Sequence, residues 1–195
     1  MKPFKEIEEK AHAKHVPIMK EEGIEFLSSF IMNHPEIMKI LEAGTAVGYS
    51  ALTMASIREN ITIDTLEINE EMISIAKKNI KEREMDDRIF VHQIDAMLYQ
   101  SAQYYDLFFI DAAKSQYYKY LEHFLPMSYV GSYFVFDNMN FHGIVDDPEL
   151  SHNRSTLQMT RKLKRFREKI LKDERFEHEF HPEIGDGILV LKRIK

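Results

Sequence analysis

The spacing of apolar positions along the chain changes several times, and each change marks a predicted element. Five short runs of apolar and β-branched residues predict strands at 37–43, 61–68, 88–94, 105–111 and 129–137. The amphipathic stretches between them predict helices at 49–57, at 70–83 with Asn69 as N-cap, and at 116–124. Strands that alternate with helices in this way are typical of an α/β fold, in which helices cover both faces of a doubly wound, mostly parallel sheet.

Both ends of the chain depart from this alternation. Residues 1–36 carry apolar side chains at helical spacing and predict N-terminal helices, a pattern that Pro35 closes. A helix is predicted at 154–172, and two further strands at 176–180 and 187–194 predict a C-terminal antiparallel hairpin at the sheet edge. We therefore expect seven strands in one domain.

Composition narrows the class of protein. The chain has 195 residues, 44% of them hydrophobic, with 7 Gly and 6 Pro, which is typical of one globular domain and excludes a disordered chain. No apolar run approaches the roughly 18 residues that span a bilayer, and the charged start does not resemble a signal peptide. We expect a cytoplasmic protein without membrane contact. The absence of Cys excludes thiolate catalysis and leaves oxygen or His as metal ligands.

A glycine-containing turn follows the first predicted strand, in the sequence Glu42-Ala-Gly44-Thr-Ala-Val-Gly48-Tyr-Ser50. Glycine lets the backbone approach a ligand, and the helix that follows offers free N–H groups. Glu67, at the end of the second strand, has the spacing of an acid that accepts ribose hydroxyls. These features indicate an adenosine-type cofactor, while the absence of Gly-x-Gly-x-x-Gly disfavours a dinucleotide. A tight turn with no ligand is the alternative.

Acidic and amide side chains end two later strands. Asp111 follows the fourth strand, and Asp137 and Asn138 follow the fifth, so a parallel sheet brings them to one edge. Two carboxylates and an amide oxygen suit Mg²⁺, with Ca²⁺ or Mn²⁺ as alternatives, and Lys114 points toward the same space. A helix cap at Asp111 and a turn at 137–138 are the simpler interpretation of each residue alone.

The charge of −6 is unevenly distributed, because residues 154–172 contain eight Lys or Arg and one Glu. A helical wheel places one basic stripe opposite the apolar face; the stripe consists of Arg154, Arg161, Arg165 and Lys172, and the apolar face of Met159, Leu163, Phe166 and Ile170. Such a stripe is either a solvated face or a contact for a polyanion.

Taken together, the motifs resemble one enzyme family. They are Glu42-x-Gly44-Thr45-x-x-Gly48-Tyr49-Ser50, Glu67-Ile68-Asn69, Asp95-Ala96, Asp111-x-x-Lys114, Asp137-Asn138 and Gly185-Asp186-Gly187. In this order they resemble the class I S-adenosylmethionine-dependent, divalent-metal O-methyltransferases, typified by the catechol and caffeoyl-CoA enzymes. The segment 111–117 is most similar to bacterial tRNA 5-hydroxyuridine methyltransferases, with Ser115 in place of the expected Gly.

The resemblance implies the Rossmann-like methyltransferase fold and a role for each matching residue. S-adenosylmethionine would be bound by Val16, Met19, Gly44, Ser50, Glu67, Ile68, Asp95, Ala96 and Asp111. Mg²⁺, or Mn²⁺ or Ca²⁺, would be bound by Asp111, Asp137 and Asn138. The catalytic residues would be Lys114 and Asp111. Residues 1–36 would form a lid, 37–138 the cofactor and metal core, and 139–195 the substrate side.

The implied activity is methylation of 5-hydroxyuridine at the tRNA wobble position to 5-methoxyuridine. In this interpretation tRNA is the partner, the helix at 154–172 contacts it, and the enzyme is a homodimer. A small-molecule O-methyltransferase that acts on a catechol or caffeoyl-CoA is the first alternative. An NAD-dependent oxidoreductase and a catalytically idle binding protein are the others.

Overall fold

A seven-stranded sheet with helices on both faces forms the centre of the computed structural model, which describes residues 4–195. The helices are α1 (Lys5–Ala13), α2 (Glu21–Asn33), α3 (Tyr49–Ser56), α4 (Glu70–Lys81), α5 (Tyr117–Phe124) and α6 (Arg154–Ile170). The strands are β1 (Lys39–Ala43), β2 (Thr62–Glu67), β3 (Ile89–Gln93), β4 (Leu107–Ile110), β5 (Tyr133–Phe136), β6 (Phe176–His181) and β7 (Ile188–Arg193).

The strand order is β3-β2-β1-β4-β5-β7-β6. The first five strands pair in parallel, and β7 pairs antiparallel with both β5 and β6, which confirms the predicted fold class. Strand order reverses between β1 and β4, the position at which open α/β sheets bind ligands. Ala43 pairs with Ile110, and Ile110 with Phe136, so Gly44, Asp111 and Asp137 all follow aligned strand ends.

The sheet separates two apolar layers. Helices α1 to α4 pack on one face, where Phe109 and Val135 lie, and α5 and α6 pack on the other, where Phe108 and Phe134 lie. The rings of Phe108 and Phe134 stack with their centroids 4.4 Å apart. Because both faces are covered, β4 has no polar position, as its unbroken apolar sequence predicts. Within residues 4–195, no helix combines the length and apolar character needed to cross a membrane.

The N-terminal segment forms helices as predicted. There are two of them, and residues 14–20 between them, which the prediction included in the helical range 1–36, are not helical. Pro17 explains the break, because it lacks a backbone N–H and disfavours helical geometry at the preceding residue. Residues 1–3 of the prediction lie outside the described residues. The predicted end near Pro35 is confirmed, since α2 ends at Asn33.

The remaining predicted elements are present, with most ends within two residues of the prediction. The exception is β5, which begins at Tyr133 and not at residue 129. The backbone turns before it: Gly131 has a φ of 110°, and the N–H of Ser132 donates to the carbonyl of Tyr129 over 2.9 Å. An apolar composition alone does not distinguish this turn from a strand. On α6, Leu163, Phe166 and Ile170 are buried as predicted.

Candidate active site

A cavity of about 850 Å³ opens at the carboxyl ends of β1, β2 and β4. Its lining contains every residue that the sequence assigned to the cofactor: Val16, Met19, Gly44, Ser50, Glu67, Ile68, Asp95, Ala96 and Asp111. Lys114 and Asn138 also line it, whereas Asp137 does not. The fold therefore gathers residues from six separate segments of the chain into one site.

The turn after β1 requires glycine at position 44. Gly44 has a φ of 107°, and a Cβ at this position would overlap the backbone carbonyl oxygen of Asp111. Its N–H donates to the carbonyl of Leu66 over 3.0 Å, which ties the turn to β2. Gly48, with a φ of 81°, directly precedes α3. Glycine at position 44 thus lets the turn pack directly against the backbone at the end of β4.

A buried acid lies beneath this turn, and sequence reasoning gave it no role. The carboxylate of Glu42 is fully buried and accepts hydrogen bonds from the hydroxyls of Ser50 and Thr65. Burial raises its pKa from 4.5 to about 7, although both hydroxyl hydrogen bonds act to lower it. Its sequence signals were a charged residue at the end of an apolar strand and its place at the start of the glycine motif. Through the hydrogen bond between them, Glu42 orients the side chain of Ser50, a residue that lines the cavity.

The carboxylate of Glu67 connects two cavity-lining segments. One oxygen accepts the N–H of Ala46 over 3.0 Å, and the other accepts the N–H groups of Ile68 and Asn69 over 2.8 and 3.0 Å. Asn69 caps α4 as predicted, because its side-chain oxygen accepts the N–H groups of two residues in the first turn. These hydrogen bonds hold Glu67 in a defined orientation at the cavity wall.

The segment between α1 and α2 covers part of the cavity. Met19 is 5% exposed and Val16 is half-buried, and both line the cavity. That this segment acts as a lid stays a prediction. Ile68, another lining residue, is 69% exposed.

Asp111 and Lys114 form an ion pair at the end of β4. The Nζ of Lys114 donates to Oδ1 of Asp111, and both side chains are about one-fifth exposed, so they reach the cavity while remaining largely shielded from water. Lys114 begins a 3-10 turn, Lys114–Gln116, that leads into α5. Between the pair, Ala112 and Ala113 add no bulk to the cavity wall.

Asp137 lies behind the cavity surface and is 2% exposed. Burial raises its pKa, and the charge of Asp111 raises it further. One carboxylate oxygen accepts the N–H of Asn138 over 2.7 Å, and the hydroxyl of Tyr117 donates to the Asp137 carbonyl over 2.8 Å. Asn138 adopts a φ of 56° and lines the cavity.

The donor set of Asp111, Asp137 and Asn138 fits a hard divalent cation in its chemistry and charge. Asp186 adds a third nearby carboxylate, whose charge raises the pKa of Asp137. The positive charge of Lys114 lowers the same pKa. A divalent cation would neutralise the remaining negative charge. Within residues 4–195 there is no cluster of three or more His, Cys, Asp or Glu side chains in a metal-binding arrangement, so such a site depends on the amide of Asn138.

Asp186 is a second cavity residue that sequence reasoning left without a role. It is 6% exposed, lines the cavity, and accepts the N–H of His142 through Oδ1 over 2.7 Å. Its Oδ2 has no hydrogen-bond partner among the described residues and lies 3.6 Å from Nδ1 of His142. Asp186 thereby holds the loop after β5 in place. The motif Gly185-Asp186-Gly187 was its signal.

Comparison with known proteins identifies the family. A family described as O-methyltransferase matches residues 1–194. The chain belongs to this O-methyltransferase family. Caffeoyl-CoA O-methyltransferase of Medicago sativa is 28% identical over 205 aligned positions, which cover 100% of this chain and 82% of the relative. Catechol O-methyltransferase of Niastella koreensis is 28% identical and covers 65% of this chain and 58% of the relative.

Solved structures agree with this assignment. A Staphylococcus aureus protein with the provisional name caffeoyl-CoA O-methyltransferase superposes with a TM-score of 0.93 at 29% identity, covering 99% of this chain and 93% of its own. A Bacillus cereus O-methyltransferase solved with SAH has a TM-score of 0.81 at 24% identity, covering 97% and 90%, and shares the fold. The protein is an S-adenosylmethionine-dependent O-methyltransferase of the caffeoyl-CoA and catechol type.

Proposed function

We propose that this O-methyltransferase uses a divalent cation, Mg²⁺ in the first instance, and methylates 5-hydroxyuridine at the wobble position of tRNA to 5-methoxyuridine. The observation that carries the proposal is the open substrate side of the cavity. Where the catechol enzymes place His and Trp, this chain has Ala112 and Ala113, and Ala113 is exposed. A volume of about 850 Å³ is near the upper end of ligand sites and leaves room for a cofactor and a nucleotide base.

The chemistry follows from the placement of groups around the reacting oxygen. Asp111, Asp137 and Asn138 would hold a divalent cation, which would favour the ionised form of the substrate hydroxyl, and bound S-adenosylmethionine would supply an electrophilic methyl group. Lys114 lies beside Asp111, and its ammonium group stabilises the oxyanion, whereas only its neutral form could take up the hydroxyl proton. The oxyanion then forms a bond to the methyl carbon as the bond from that carbon to sulfur breaks, and S-adenosylhomocysteine is the leaving group. Alignment of two bound reactants supplies on the order of 7 to 11 kcal/mol of the barrier, so no covalent nucleophile is needed.

In this proposal, the residues that bind the cofactor each contact a different part of it. The turn at Gly44 and the hydroxyl of Ser50 bind the methionine part, and Glu67 accepts the ribose hydroxyls. Ile68, Asp95 and Ala96 frame the adenine. Val16 and Met19 cover the bound cofactor and exclude water, as lids commonly do. These side chains all line one cavity, which supports a single shared ligand.

A small-molecule activity is the second candidate, because the named relatives include caffeoyl-CoA and catechol O-methyltransferases. The two candidates share the cofactor, the metal and Lys114, and they differ in the molecule that enters the open side of the cavity.

The deciding experiment is transfer of labelled methyl from S-adenosylmethionine, with Mg²⁺ or EDTA, to tRNA that contains 5-hydroxyuridine, to catechol and to caffeoyl-CoA. We expect metal-dependent labelling of the tRNA. Labelling of a small molecule without labelling of tRNA would overturn the RNA assignment.

Two variants test the proposed chemistry. Asp111→Asn and Lys114→Met should each lower turnover by about 100-fold or more, which is typical for loss of a group that acts on the proton. Asp86→Asn, at an exposed carboxylate in the turn after α4, is the matched control and should retain turnover. Metal-dependent transfer at the wild-type rate by the Asp111 variant would exclude its assigned role.

A further inference from the structure

A second concave surface adjoins the catalytic cavity. It has a volume of about 510 Å³ and lies between α6 and the segment formed by the 3-10 turn and α5. Lys114 and Gln116 line both this groove and the catalytic cavity. The groove and the catalytic cavity therefore meet at these two residues.

The groove is lined by basic residues and by no acidic ones. In addition to Lys114, its basic residues are Lys119, Lys162, Arg165 and Lys169. Among the residues that the structure describes, Lys119, Lys162 and Arg165 form no ion pair. Positive charges that line one concave surface repel one another and create a positive potential there. A bound anion reduces this repulsion.

Two basic residues of α6 already have a partner within the protein. Arg167 pairs with Asp146 on the loop after β5, so its charge is already compensated. Lys169 lies at the groove edge, with its Nζ 3.8 Å from the centre of the Tyr118 ring, a cation–π contact that fixes this wall. Lys162 and Arg165 thus bring cationic side chains without an ion pair to the side of α6 that faces α5, although Arg154, Arg161 and Lys164 elsewhere on α6 also form no ion pair among the described residues.

We propose that this groove binds a phosphodiester of the RNA backbone next to the nucleotide whose base enters the catalytic cavity. The inference rests on the proposed tRNA substrate and adds the site that holds its backbone. Cationic side chains are suited to binding phosphate groups. Because the groove adjoins the catalytic cavity, it is also suited to a polymer that presents one nucleotide to the active site.

The groove differs from the basic stripe that the helical wheel indicates. Arg154 and Arg161 belong to the stripe and are exposed, but they do not line the groove. Lys119 and Lys162 line the groove and are absent from the stripe. These two pairs carry the same charge, so equal substitutions in each pair separate the two surfaces.

The experiment compares three charge-reversed double variants with the wild type. They are Lys119→Glu/Lys162→Glu in the groove, Arg154→Glu/Arg161→Glu in the stripe, and Lys77→Glu/Lys81→Glu on the exposed face of α4. Binding of a fluorescent anticodon stem–loop RNA is measured by anisotropy at several salt concentrations. Binding of S-adenosylhomocysteine reports whether each variant remains folded.

We expect the groove variant to weaken RNA binding at least about tenfold and to reduce the salt slope by about 1.4, because two single-strand phosphate contacts contribute roughly 0.7 each. The stripe and α4 variants should have smaller effects, and all three should bind S-adenosylhomocysteine normally. Equal effects of all three variants, or a larger effect of the stripe variant, would overturn the proposal.

Two further readouts separate this proposal from the proposed function. Groove-dependent RNA binding supports the groove even if the wild type labels no 5-hydroxyuridine, a result that would reject only the assigned methylation. Coenzyme A serves as the second anionic probe. Groove-dependent binding of coenzyme A without binding of the RNA would overturn the phosphodiester assignment and favour the caffeoyl-CoA alternative.

Discussion

The buried carboxylate of Glu42 makes the stability of this protein depend on pH in a predictable direction. Its pKa rises from 4.5 to about 7 on folding, chiefly because burial disfavours the charged form. Between these two values the folded protein retains a proton that the unfolded chain releases. The free energy of unfolding therefore falls as the pH rises through this interval. Below the interval Glu42 causes no loss, and above it the full loss persists without further dependence on pH.

The size of the effect follows from the width of the interval. At about 1.4 kcal/mol for each pH unit, the interval from 4.5 to about 7 corresponds to roughly 3 kcal/mol. Glu42→Gln removes the titrating group while keeping its size and one carbonyl oxygen to accept from Ser50 or Thr65. Relative to the wild type, the variant should therefore gain about 3 kcal/mol between pH 4.5 and about pH 8.

Urea denaturation of both proteins across this range, at constant ionic strength, measures the difference directly. Glu59→Gln, at an exposed carboxylate, controls for the loss of one negative charge. The difference between the two stabilities cancels every group that both proteins share. A difference that stays constant with pH, or one that shrinks as the pH rises, would refute the argument from burial.

Three smaller changes test individual contacts. Gly44→Ala should destabilise the fold by more than about 1 kcal/mol and abolish binding of S-adenosylhomocysteine, because its Cβ meets the Asp111 carbonyl; calorimetry that shows normal binding would contradict this. Tyr117→Phe should cost about 1 to 2 kcal/mol in urea denaturation, since it leaves the buried carbonyl of Asp137 without its donor, and an unchanged midpoint would argue against the contact. Asn69→Ala should cost about 1 kcal/mol by the same measurement through loss of the α4 cap, whereas Asn69→Asp should retain most of it.

Several features of the fold were predictable from the sequence because they depend on neighbouring residues. The unbroken apolar run of β4 indicates a strand covered on both faces, and Asn69 indicates the start of α4. Gly44 and Gly48 mark positions where the backbone needs positive φ. The prediction of β5 from residue 129 was wrong at its start, because the turn around Gly131 carries apolar side chains that resemble strand residues.

For the candidate site, too, the sequence identified residues, whereas their burial and hydrogen bonds became visible only in the structure. Motif spacing identified Glu67, Asp111 and Lys114, and the structure places their side chains around one cavity. Their assigned roles in binding and catalysis remain predictions. Glu42 and Asp186 were present in the motifs, but their burial and hydrogen-bond partners were not visible there. The sequence around a charged strand residue does not indicate which hydroxyl groups will surround that residue in the folded protein.

The sequence by itself determined which segments form helices and strands, which faces are apolar and which residue types follow each strand. These features depend on backbone preference and periodicity, which act over a few residues. Tertiary structure determined the distances between these residues. The pairing of Ala43 with Ile110 and of Ile110 with Phe136 brings Asp111 and Asp137 to one edge, and packing of α6 against the turn before α5 creates the basic groove. Such distances depend on strand register and on contacts between segments far apart in the chain, and no local pattern contains them.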